Sequence, residues 1–92
     1  MRPMSSEQKR IFQEISYVII DKGPNASVTP EDIRGKAAVA KDKILEYLSL
    51  FASRNLYATE DGEHFFMTGI GKHEFSSLVD IEYKRGGTRT VY

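Results

Sequence analysis

Residues 34–43 carry four cations, Arg34, Lys36, Lys41 and Lys43. Ammonium and guanidinium groups gathered like this attract phosphate, and Arg adds a planar fork that matches its oxygens. A second basic group, Lys84, Arg85 and Arg89, alternates with Tyr83, Tyr92 and Gly86-Gly87, a mixture that suits phosphates together with base stacking. The opposite sign dominates "TEDGEH" at 59–64, where Glu60, Asp61 and Glu63 surround Gly62. Carboxylate and imidazole groups also ligate metals, but a zinc site needs three or four converging ligands, and His64 and His73 fall into no such run. "GIGK" at 69–72 fails as a phosphate loop, since Phe66 stands where the first Gly belongs and His73 where Ser or Thr should follow the Lys. Ser76 and Ser77 have no base and orienting acid at a recognisable spacing. The expectation is a protein that is not an enzyme, with no metal and no cofactor.

Composition narrows the partners. The 92 residues suffice for one domain. Thirteen basic residues balance thirteen acidic ones, so no global field draws the chain to nucleic acid or anionic lipid, and any such binding must rest on local charge. The absence of Cys removes disulfides and thiolate chemistry and suits a cytoplasmic location. "MRPMSSEQKR" lacks the apolar core of a secretory signal, and the longest apolar run, "YVII" at 17–20, is far too short to span a membrane.

The elements that must position these residues follow from periodicity and capping. Ile11, Ile15, Val18 and Ile19 recur at helical spacing, with Phe12 and Ile20 widening the stripe, and predict a first helix from Ser5 to Asp21. Ser5 or Ser6 caps it, and Lys22-Gly23-Pro24 stops it. "SVT" offers a short strand. Thr29, Pro30, Glu31 and Asp32 then read as N-cap, first helical position and acidic first turn of a short second helix. Ala37 and Ala38 could carry that helix past Gly35. A third helix is expected over Ala40–Arg54, with Ile44, Leu48, Phe51 and Ala52 inward and Leu45 at the margin. Asn55 suits the left-handed C-cap. Strands at Leu56–Thr59 and His64–Met67, joined by a tight turn at Asp61-Gly62, predict a hairpin. Phe65 and Phe66 point to opposite faces, so one is buried. Thr68 caps a fourth helix bearing Phe75, Leu78 and Val79, whose first turn Gly69 and Gly71 weaken. Beyond residue 79 the chain shows no helical stripe, and Gly86-Gly87 predicts either a second hairpin or a basic tail. The division is therefore a folded domain at 1–79 and a tail or hairpin at 80–92.

"TPEDI" at 29–33, "YLSLFASRNLY" at 47–57 and "MTGIGKHEF" at 67–75, in that order, resemble the winged helix-turn-helix superfamily, in particular small MarR-like and PadR-like transcriptional regulators. The resemblance covers residues 8 to 79. It implies an α+β winged helix-turn-helix fold: a three-helix core, a β-hairpin wing and a fourth C-terminal helix, followed here by the basic tail or second hairpin. It further implies a homodimer that inserts its third helix into the major groove of duplex DNA. On that reading Arg34, Lys36, Lys41 and Lys43 anchor phosphates, assisted by Lys84, Arg85 and Arg89. Glu46, Ser49 and Ser53 supply limited base readout.

The chain departs from that pattern in charge. The outward face of the third helix has one Lys, two Ser and the acids Asp42 and Glu46, whereas base readout favours Arg, Lys, Asn and Gln. The wing tip carries acids where phosphate-gripping wings carry cations. An alternative is therefore a winged-helix protein-interaction module without DNA binding, whose face is Leu45, Leu50, Glu60, Asp61 and Glu63. A third reading places RNA or single-strand binding in the tail.

Overall fold

The structure is a computed structural model that describes residues 3–23 and 25–84, with the backbone alone for 81–84. Helix α1 (Ser6–Lys22) opens with a complete capping box. The Ser5 hydroxyl accepts from the Gln8 amide at 3.1 Å, and the Gln8 side chain accepts from the Ser5 amide at 2.9 Å. Two otherwise orphaned donors are satisfied in one exchange. Strand β1 (Ser27–Val28) leads into the short helix α2 (Pro30–Ile33), which Thr29 and Asp32 cap in the same reciprocal way. Helix α2 ends at Ile33 because Gly35 turns into the left-handed region at φ 79°, so Ala37 and Ala38 lie in a loop rather than prolonging it.

Helix α3 (Ile44–Ser53) starts later than its apolar period predicts. No side chain caps its start, and Lys41–Lys43 form a tight 3-10 turn in place of a regular first turn. Strands β2 (Tyr57–Ala58) and β3 (Phe65–Met67) follow, then helix α4 (Gly69–Lys84). Both strands are shorter than expected, and the connection between them is a longer loop instead of a tight two-residue turn. Helix α4 runs across the expected boundary at residue 79 to Lys84, so residues 81–84 are helical and form no strand of a second hairpin. Residues 85–92 lie outside the described residues.

The three strands form one antiparallel sheet in the order β1-β3-β2. Register sorts the residues by face. Ser27, Phe66 and Ala58 are cross-strand neighbours on the outer side, while Val28, Phe65, Met67 and Tyr57 are buried on the inner side. The core behind the sheet joins Ile11, Phe12, Ile15 and Ile19 of α1 to Ile33, Ile44, Leu48 and Phe51. Phe12, Phe51 and Tyr57 form a ring triangle with centroids 5.4 to 5.6 Å apart. The Tyr57 hydroxyl is carried into this core and stays partnered: it lies 2.8 Å from the Ser16 hydroxyl and donates to the Phe12 carbonyl at 3.2 Å. Ser16 is fully buried by the same arrangement. Burial drives the Tyr57 pKa well above that of a free phenol. Helix α4 closes the other flank, where Tyr17 and Phe75 meet edge to face at 5.0 Å.

The junction of α3, β2 and α4 rests on three small features. Asn55 adopts φ 62°, the left-handed cap its type allows. The Thr68 hydroxyl donates to the Asn55 carbonyl at 2.5 Å and accepts from the Gly71 amide at 2.9 Å. The Thr68 amide donates to the Leu56 carbonyl at 3.1 Å. Gly71 is a packing requirement rather than a weakness of α4. A Cβ there would stand 2.0 Å from the Leu56 carbonyl oxygen, whereas one at Gly69 would meet nothing within 4 Å.

Gly71→Ala is therefore expected to cost roughly 2–4 kcal/mol, because backbone must move to admit one methyl. Gly69→Ala should lie within about 1 kcal/mol of the parent, on the stabilising side. Urea denaturation of both variants checks this, and equal midpoints would refute the close approach. Tyr57→Phe should cost about 1–2 kcal/mol by removing the partner of the buried Ser16 hydroxyl. Its midpoint in the same titration gives the comparison.

Candidate nucleic-acid interface

The cations expected to grip phosphate sit on the segment that links α2 to α3. Arg34 follows the last residue of α2, Lys36 lies in the loop, and Lys41 and Lys43 form the 3-10 turn. All four are exposed. Two have partners: Arg34 pairs with Glu31 at 3.2 Å and Lys43 with Glu46 at 3.3 Å. Exposed pairs of this kind contribute little and exchange readily for another anion. Among the described residues, the ammonium groups of Lys36 and Lys41 make no ion pair. Of the assisting cations, Lys84 ends α4, while Arg85 and Arg89 lie outside the described residues.

The loop carrying Lys36 is short of regular structure but not of anchorage. Gly35 gives the turn, Ala37 is buried, and Val39 packs against the core. The Ala38 amide donates to the Glu14 carboxylate on α1 at 2.8 Å, and the other Glu14 oxygen pairs with Arg10. Farther along the same face of α1, Glu7 accepts from the Tyr47 hydroxyl of α3 at 3.2 Å. Desolvation first, and then this bond to Glu7, raises the Tyr47 pKa. Lys22 at the end of α1 holds the next junction, donating to the Ser27 carbonyl at 3.0 Å and to Asp32 at 3.1 Å. The Thr29 amide above all, with Lys22 second, lowers the Asp32 pKa.

On α3, Glu46 and Ser49 face solvent as a reading face requires. Ser53 is exposed too, but its hydroxyl donates to the Leu50 carbonyl at 2.6 Å, so that donor is spent within its own helix. The two leucines of the alternative face differ in exposure. Leu45 is 48% exposed, whereas Leu50 is half buried and packs against the core, so Leu45 is the more open of the two.

The acidic tip has a local structural role that its charge pattern conceals. Asp61 Oδ1 accepts from the amides of Glu63 at 2.9 Å and His64 at 2.8 Å. Its Oδ2 lies 2.7 Å from His64 Nδ1. The Thr59 hydroxyl accepts from the Gly62 amide at 2.9 Å, and Gly62 itself turns through φ 75°. This is an Asx-type loop held by side chains, which explains why strand pairing stops at Ala58 and resumes at Phe65. Glu60 and Glu63 remain exposed. The ligand-type atoms of Asp61, Glu63 and His64 lie within 4.8 Å of one another, but both Asp61 oxygens already serve the loop. Sequence reasoning passes over Glu14 and gives Asp61 and Gly71 other roles, because each acts through a backbone group that no side-chain pattern records.

The tip is sensitive to pH in a defined direction. Backbone donation from His64 and Glu63, followed by the His64 ring, holds the Asp61 carboxyl far below its ordinary 3.8. The hydrogen bond to Asp61 raises His64 above its ordinary 6.5. Asp61 therefore stabilises the folded loop above pH 3.8, and this contribution is lost as pH falls through its depressed value. His64 contributes fully below pH 6.5 and loses that contribution as pH rises through its raised value. The loop should be most stable between the two. In an NMR titration the His64 ring is expected to titrate above 6.5 and to return toward 6.5 in Asp61→Asn. An unchanged His64 midpoint in that variant would refute the pairing.

No helix among the described residues is long and apolar enough to cross a membrane. The chain matches no protein-family model, and neither a curated protein nor a solved structure matches it.

Proposed function

We propose that the chain is a winged-helix module that binds duplex DNA mainly through phosphate contacts, with α3 presented to the major groove and the β2–β3 hairpin as its wing. The observation that carries this reading is the exposed basic segment at 34–43. It places two uncommitted ammonium groups, and two more cations held only by exposed neighbours, immediately before an uncovered α3. The order of elements supports it as well: helix, strand, short capped helix, turn, longer helix, hairpin, helix. The tip acids leave phosphate contact to the basic segment: Asp61 shapes the loop but stays ionised, with His64 as its local counterpart, and Glu60 and Glu63 are exposed. With Glu46 paired to Lys43 and the Ser53 donor spent, base reading is sparse. Affinity would come from backbone charge, with weak preference among sequences.

A protein-binding role is the second reading, favoured by Leu45, nearly half exposed on the outward side of α3 between Asp42 and Glu46.

Fluorescence anisotropy with a random duplex of about 20 base pairs separates them. DNA binding predicts affinity that falls steeply with salt. Lys36→Glu with Lys41→Glu should weaken it at least about tenfold and lower the salt slope by about 2, one unit for each lost phosphate contact. Leu45→Ser should leave it within about twofold. Absence of binding at low salt, where even non-specific binders respond, would reject the DNA reading.

A further inference from the structure

We propose that Glu14 is the positioning residue of the phosphate-contact segment. It would act by fixing the backbone that carries Lys36 and Lys41 and by drawing Arg10 into the same patch. The proposal rests on the DNA reading for its function, but its structural half can be tested without DNA.

The argument begins with the loop. Between α2 and α3 the backbone bonds from Lys36, Ala37, Val39 and Lys43 all close within residues 33–43. The Ala38 amide instead reaches α1, donating to Glu14 Oε1 at 2.8 Å. Beyond the packing of Ala37 and Val39 on the core, the bond to Glu14 is the polar contact that ties this loop's backbone to α1 among the described residues. The second Glu14 oxygen pairs with Arg10 one helical turn earlier, so one carboxylate joins a loop amide to a guanidinium on α1. Arg10 is 48% exposed along its side chain, so its guanidinium, though paired with Glu14, is open to solvent on the side of the loop.

Glu7 lies two turns before Glu14 and holds α3 through the Tyr47 hydroxyl. Helix α1 thus grips the basic segment ahead of α3 and α3 itself with two acids on one face. This accounts for an acid next to a phosphate-binding surface, where simple charge counting would disfavour it.

Charge and positioning make opposite predictions, which gives the test its force. Removing a carboxylate from beside DNA should strengthen binding if only charge matters. Glu14→Gln removes the charge and keeps an oxygen that can accept from Ala38. Glu14→Ala removes both. In anisotropy titrations with a random duplex of about 20 base pairs, Glu14→Gln is expected to bind as tightly as the parent or up to about threefold tighter, and Glu14→Ala about five- to tenfold more weakly than Glu14→Gln. Equal affinities of the two variants would overturn the functional half.

Amide hydrogen exchange supplies the second readout. Ala38 should exchange faster in Glu14→Ala than in the parent, with Glu14→Gln close to the parent. Unchanged protection of Ala38 in Glu14→Ala would overturn the structural half. The double charge reversal at Lys36 and Lys41 distinguishes the two failures. If it abolishes binding while the Glu14 variants agree, positioning is wrong and the DNA reading stands. If the parent binds no duplex at low salt, the DNA reading fails and with it the functional half, while the exchange result still decides whether Glu14 holds the loop.

Discussion

The seating of α1 against the sheet depends on satisfying one hydroxyl buried in the core. Tyr57 enters the core from the first residue of β2, and its ring completes the triangle with Phe12 of α1 and Phe51 of α3. The apolar gain from such a ring is large, but an unpartnered phenol at the same depth would offset much of it. Ser16 and the Phe12 carbonyl remove that cost. A buried small polar residue on an otherwise apolar helix face is thereby explained. Both partners are on α1, so the bonds fix the rotation of that helix against the sheet as well as its distance. Everything on the outer side of α1, including Glu7 and Glu14, inherits this orientation.

Charge is used locally throughout the molecule. Asp32 shares its carboxylate between the α2 cap and Lys22, Asp61 closes the hairpin loop, and Glu14 divides itself between Arg10 and a loop amide. These acids act as hydrogen-bond acceptors for backbone as much as counterions, a role for which a carboxylate is stronger than a neutral side chain. A net charge of zero therefore says little about the surface. Glu7, Glu14, Asp32 and Asp61 among the balancing acids are committed to structure, while Lys36 and Lys41 make no ion pair among the described residues.

This also sets how much could be read in advance. Ile11, Phe12, Ile15, Ile44, Leu48 and Phe51 are buried as their spacing requires, and Ser5, Thr29, Asn55 and Thr68 cap as their types require. Periodicity and capping are local properties, so a local reading recovers them. The early end of α2, the late start of α3 and the extension of α4 to Lys84 were not legible, since apolar spacing does not record where a turn tightens or a helix stops. The role of Gly71 was misread for a related reason. Its lack of a side chain matters only because a carbonyl from a distant part of the chain lies against it. For the site, the positions of the cations were apparent and their exposure followed, but which acids would neutralise them depended on rotamers that sequence leaves open.

The hairpin loop differs from these junctions in one respect that bears on change over time. The hydrogen bonds that shape its tip run among residues 59–64, and Phe65 restores the sheet immediately afterwards. The tip is thus an autonomous cassette whose internal bonding is separate from the core. Selection could lengthen it, shorten it or invert its charge while the α1–sheet contact stayed intact. Glu60 and Glu63 can thus be exchanged on a fixed frame without touching the packing behind the sheet, whereas Asp61 is held to its type by the loop it closes.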